Sequence, residues 1–196
     1  MTALPEWMYP PRVEGWYAKD LDHLPDAPKH TELIDGALIF ALSPRPAWHA
    51  RVVTALNRAL AAHAPKGVEI EWNMTVRLDR RNRAEPDLLA TTAPFLPQRT
   101  WFEPDDVALT IEVVSPESAE RDRKVKFRKY AEAGIPHYWV VEREHDRPVV
   151  HVYELDGPTG TYAPAGIFRG TLDRPVPFPV TLGLDSLVPA PRRAGV

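Results

Sequence analysis

Apolar residues in "TELIDGALIF" alternate around Asp35-Gly36, a dipeptide that supplies the positive φ angles of a tight hairpin, so two short antiparallel strands are predicted there. From Trp48 to His63, the residues Val52, Val53, Leu56, Ala59 and Leu60 recur at helical spacing, and Pro65 and Gly67 close the segment: an amphipathic helix. "VEIEWNMTVRL" (68–78) alternates apolar and polar positions and predicts one strand with a wetter face. "PDLLAT" follows as a short strand after the loop "DRRNRAE". "DVALTIEVVS" is apolar on both faces apart from Thr110 and Glu112, the pattern of a central strand. Residues 118–133 predict a charged helix with Val125, Phe127, Tyr130, Ala131 and Ala133 as its apolar positions, ended by Gly134 and Ile135-Pro136. "HYWVVE" and "VVHVYEL" are two further strands joined by the turn "REHDRP". The order predicts an α/β (α+β) fold, a mixed β-sheet flanked by helices. Trp72, Trp101, Trp139, Tyr138 and Tyr153 fall in strand patterns and are expected in the core.

Composition narrows the setting. A chain of 196 residues suffices for one domain, and without cysteine it has neither a disulfide framework nor a thiolate metal site. The 22 prolines gather towards both ends, which divides the chain into an N-terminal arm (1–30), a main domain (31–188) and a tail (189–196). Trp7, Tyr9, Trp16 and Tyr17 lie in the arm, where a second copy or the domain's own surface would take them; a homodimer is expected. No apolar run approaches the ~20 residues of a membrane span, and the N-terminus lacks a signal peptide's apolar stretch, so a cytoplasmic location is expected. The net charge of −3 argues against a basic nucleic-acid coat protein but leaves room for a local basic groove.

Glu112 is the position that asks for chemistry. A carboxylate in a buried strand must keep its proton, find a cationic partner or bind a cation. Asp87 opens the strand before it, and acids on adjacent strands and one face can share a divalent ion of the magnesium or manganese kind. Taken alone, Asp87 would cap a turn and Glu112 would pair with an arginine. The following helix adds weight, because Lys126 sits one turn before Tyr130 and both can face the sheet. Between 120 and 132 there are six basic residues against three acidic ones, on a chain that is acidic as a whole; by itself such a run is a solvated helix surface.

"TELIDGALI", "SPRPAWH", "EPDLL", "IEVVSPES" and "RDRKVKFRKYAEAGIPHYWVVE", in that order, resemble the Uma family of restriction endonucleases, within the PD-(D/E)xK nuclease superfamily. The likeness runs from about Thr31 to Leu187. It implies a restriction endonuclease-like core with Asp87 and Glu112 as the paired acids. The superfamily lysine two residues after the second acid is here Val114; the family resemblance moves that amine to Lys126 and adds Glu32 as a further carboxylate. His49 matches a family histidine at the start of the first helix and is assigned no role. The implied cofactor is Mg2+ (or Mn2+), held by Asp87, Glu112 and the Val113 carbonyl. The implied partner is double-stranded DNA, with phosphate contacts from Arg80, Arg81, Arg83, Arg123 and Lys124. The implied activity is metal-dependent hydrolysis of DNA phosphodiester bonds. An inactive nuclease-fold module that binds DNA or protein is the alternative, and a hydrolase of smaller phosphoesters is a third reading. No helix-turn-helix or zinc module is visible that would read bases.

Overall fold

The computed structural model describes residues 5–24, 26–40 and 43–188, so the tail at 189–196 lies outside the described residues. The predicted hairpin forms: Asp35 and Gly36 take φ of 50° and 84° and join β1 (Glu32–Ile34) to β2 (Ala37–Ile39). Helix α1 (Ala47–His63) buries Val52, Val53, Leu56 and Leu60, the stripe its periodicity marks.

Where alternation predicts one strand over 68–78, the chain makes two, β3 (Glu69–Glu71) and β4 (Thr75–Asp79). Asn73 between them adopts φ 55°, a left-handed conformation that asparagine tolerates better than most residues. The break sends the halves into different sheets. The loop after β4 contains a further strand, β5 (Asn82–Ala84), and β6 (Leu88–Thr91), β7 (Trp101–Phe102) and β8 (Val107–Val113) follow. The helix predicted over 118–133 is a π-helical stretch, Arg121–Lys126, running directly into α2 (Phe127–Glu132). The remaining strands are β9 (His137–Glu144), β10 (Arg147–Asp156), β11 (Thr161–Arg169), β12 (Thr171–Arg174) and β13 (Val180–Gly183).

Instead of one mixed sheet there are two large ones and a ribbon: β2-β1-β5-β4-β7, β11-β10-β9-β8-β6-β3, and β12-β13. In the second, β8 is central, antiparallel to β6 and parallel to β9. Alternation along β8 then divides the core. Leu109, Ile111 and Val113 join the cluster under α1 and the β12-β13 ribbon. Thr110 and Glu112 fall on the opposite side of the strand, where Tyr130 of α2 reaches Glu112.

The N-terminal segment is docked on its own domain. Trp16 is buried with Leu33, and its N–H donates to the Gly36 carbonyl at 2.9 Å. The Ala18 N–H donates to the Arg80 carbonyl at the same distance. Trp139 and Tyr138 are fully buried as expected, but Trp72 is 56% exposed, because the strand that would have turned it inward ends at Glu71.

Candidate active site

Asp87 stands one residue before β6, and continuing the β6–β8 register by one step sets it opposite Glu112. Its placement is fixed from three sides. The Val113 N–H donates to Oδ2 at 2.8 Å, His49 Nε2 donates to the same oxygen at 3.0 Å, and Arg45 pairs with Oδ1. The loop before α1 and the first turn of that helix thus bring Arg45 and His49 to the strand end. His49 Nδ1 is buried without a partner among the described residues.

Glu112 is served from the other side. Lys126 Nζ lies 2.9 Å from Glu112 Oε1, and the Tyr130 hydroxyl donates to that oxygen at 2.8 Å. Lys126 also lies 2.8 Å from Glu32 Oε1 and donates to the Glu85 carbonyl at 3.1 Å. The Glu85 N–H donates to Glu32 Oε1 at 2.8 Å, which ties the first hairpin to the strand carrying Asp87. Asp122, four residues before Lys126, is buried 3.9 Å from its amine. Glu112 Oε2 has no hydrogen-bond partner among the described residues.

Glu32, His49, Asp87, Glu112, Asp122 and Lys126 line a cleft of about 270 Å³ between the start of α1 and the π-helical stretch. Its charges are uneven. Burial would lower the Lys126 ammonium, but Glu112, Glu32 and Asp122 outweigh it and raise it above the usual lysine range, so the amine stays charged. Burial pushes the Glu112 carboxyl well up against the pull of Lys126, and the neighbouring acids push the same way. Asp122 is likewise raised, by burial first. Asp87 is the exception: burial pushes it up, but His49, Arg45 and the Val113 N–H hold it below the ordinary range.

The structure brings Glu32, Asp87, Glu112 and Lys126 to one cleft, with Val113 donating its N–H there. Val114, where the superfamily lysine would stand, is half-buried apolar packing, and the amine that reaches Glu112 is that of Lys126. Of the residues expected at DNA phosphates, Arg83 is a correction. It is buried, with its guanidinium on Asp22 at 2.7 Å, the Thr75 hydroxyl at 2.8 Å and the Ala18 carbonyl at 3.3 Å, and so anchors the N-terminal segment. Arg80 stacks over the Tyr17 ring and Arg81 donates to the Asp35 carbonyl. Arg123 pairs with Glu142 and Lys124 with Glu120, both on the surface. None of the five lines the cleft; the arginines that do are Arg45 and Arg121. Sequence reasoning passed over Arg45, Asp122 and the role of His49. The i, i+4 spacing of Asp122 and Lys126 was a usable signal.

Among the described residues, no three His, Asp or Glu side chains gather closely enough to hold a metal ion by themselves. The donors available are hard oxygens: Asp87, Glu112 with its partnerless Oε2, and the backbone beside them.

Comparison with known proteins bears on the fold and the family. Nothing among curated proteins matches the chain. A solved structure described as a putative nuclease belonging to DUF820, from Anabaena variabilis, superposes with a TM-score of 0.65 at 16% identity, covering 86% of this chain and 95% of that one; it shares the fold. The family Uma2, described as "Putative restriction endonuclease", matches residues 18–186, from the docked N-terminal segment to the last described turn. The chain belongs to the Uma2 family, on a mixed α+β nuclease-like fold.

Proposed function

We propose that this protein is a metal-dependent endonuclease that hydrolyses DNA phosphodiester bonds at the cleft between α1 and the π-helical stretch. The observation that carries the reading is the meeting of Asp87, Glu112 and Lys126, drawn from three separate segments, in one cleft. Asp87, Glu112 and the Val113 carbonyl would hold Mg2+ or Mn2+. The donors suit such an ion, which prefers oxygen and keeps several positions for water and phosphate, so two carboxylates suffice. When bound, the ion offsets the charge that grows on the phosphate and makes water more acidic.

The chain's own groups do the rest. Lys126, charged and clamped by Glu32 and Glu112, acts as a hydrogen-bond donor that orients the attacking water and offsets charge; its raised affinity for the proton suits it poorly to the work of a base. Glu32 holds the amine in place. Arg45 and Arg121 at the cleft rim are the side chains suited to the flanking phosphates, and Arg123 and Lys124 lie on the surface beyond. One cleft cuts one strand, so breaking both strands of a duplex calls for two copies, and we propose a homodimer as the working unit.

The test is turnover with Mg2+ on duplex DNA beside turnover on a nucleotide-sized phosphodiester. Faster hydrolysis of DNA per bond supports the reading; preference for the small ester moves the protein to another class of hydrolase. Calorimetric titration with Mn2+ separates both from an inactive scaffold, which has no need to bind the ion.

A further inference from the structure

A second cavity, of about 370 Å³, opens beside the catalytic cleft and shares His30, Arg45 and His49 with it. Its floor is the α1 surface around Val53, Thr54 and Asn57, and its wall is Trp72 with Asn73. Its size falls in the range of small-ligand pockets. Three features distinguish it from an ordinary surface groove. Trp72 is 56% exposed although its place in the alternating pattern would turn it inward; its strand ends at Glu71, and the indole lines the cavity beside Asn73, whose backbone is left-handed. Two amide side chains, Asn57 and Asn73, supply donors and acceptors around a plane of aromatic carbon, and the Thr54 hydroxyl, whose proton goes to the Ala50 carbonyl at 2.8 Å, adds an acceptor. His49, buried and lining both cavities, gives one nitrogen to Asp87 and keeps the other without a partner among the described residues.

We propose that this cavity takes an unstacked nucleobase of the cleaved strand, next to the phosphate in the catalytic cleft, with Trp72 as the stacking surface and Arg45 spanning base and phosphate. The inference rests on the nuclease reading of the neighbouring cleft and adds substrate class to it: DNA with an unpaired or mismatched nucleotide at the cut. A flat indole face and two amides fit a base, whose face is apolar and whose edge carries both donors and acceptors. A fully paired duplex keeps that face inside its own stack and fills the cavity only after unpairing and unstacking a base, at a cost in free energy. Arg45 belongs to both cavities, so a base entering one and a phosphate entering the other converge on the same guanidinium.

Binding without turnover tests this. The full chain is titrated in EDTA against two labelled oligonucleotide duplexes of equal length, one fully paired and one with a single unpaired nucleotide. The expected result is tighter binding of the second by roughly five- to a hundred-fold, the scale of one stacked base. Trp72→Ala is expected to remove the preference and Trp72→Phe to keep most of it. Trp72 is on the surface, and an unchanged melting temperature shows that the variants fold. Equal affinity for the two duplexes, or a preference that survives in Trp72→Ala, overturns the proposal. The nuclease reading fails separately, by absence of Mg2+-dependent cleavage with the binding preference intact.

Discussion

Three buried carboxyl groups, Glu32, Glu112 and Asp122, crowd one ammonium at Lys126, and the consequences of removing each member differ. Glu112→Gln leaves Lys126 with Glu32 at 2.8 Å and the Glu85 carbonyl at 3.1 Å, so we expect stability to change by less than about 1 kcal/mol while cleavage is lost. Lys126→Met strips the ammonium that Glu112 touches, and we expect a loss of about 3–5 kcal/mol together with activity. Urea unfolding of the two variants without metal checks both. Glu112 also carries a pH signature. A carboxyl raised in the folded state binds its proton more tightly there than in the unfolded chain. Its stabilising contribution is complete below the ordinary value of 4.5 and is lost as pH rises from there through the raised value. The glutamine variant has no such proton, so its melting temperature is expected to gain on wild type as metal-free buffer is taken upward from that pH; a constant gap contradicts this. At this scale the sequence spoke clearly about Glu112, Lys126 and Tyr130, because a charge in an apolar run and a one-turn spacing are local signals. Arg45 and His49 were silent because their partner Asp87 lies some 40 residues away, and only the fold joins them.

At the scale of elements, the N-terminal segment is held on the five-stranded sheet by two devices. One is close backbone contact. A Cβ at Gly15 would come within 2.5 Å of the Gly36 carbonyl oxygen, on a backbone at φ 95°. Gly134, at φ 82°, has open space around the same atom. Gly134→Ala is therefore expected to cost about 1–2 kcal/mol for its left-handed backbone alone, and Gly15→Ala distinctly more, as thermal melting would register. The other device is Asp22 between Arg77 and the buried Arg83. Burial pushes its carboxyl up, but the two guanidinium groups outweigh that and hold it below the ordinary value of 3.8. Its stabilising contribution is present above that value and lost as pH falls through the lowered one. Asp22→Asn is expected to destabilise the protein at neutral pH and to converge with wild type in acid unfolding. The strand break at Asn73 shows the limit of pattern reading. Apolar alternation continues through residues 68–78 unbroken, so period alone cannot reveal that the backbone turns there and hands the chain to another sheet. The π-helical stretch at Arg121–Lys126 likewise has helical periodicity and was legible only as helix.

For the whole molecule, the element order and the central place of β8 were readable, since a strand apolar on both faces has to be covered on both. The division into two sheets was not, because it depends on which strands pair. The division has a functional consequence. Glu32 enters on the five-stranded sheet, Glu112 on the six-stranded one, and Lys126 on the helical segment packed beside them, so the cleft exists only when all three parts are assembled. The most direct measurement of the central claim is the conversion of supercoiled plasmid to nicked and linear forms by the purified protein, with Mg2+ or with EDTA, for wild type and Glu112→Gln side by side. We expect conversion by wild type with Mg2+ alone, and a drop to background for the variant, whose cooperative thermal unfolding shows that it is folded. Equal cleavage by the two proteins, or cleavage that persists in EDTA, would contradict the account.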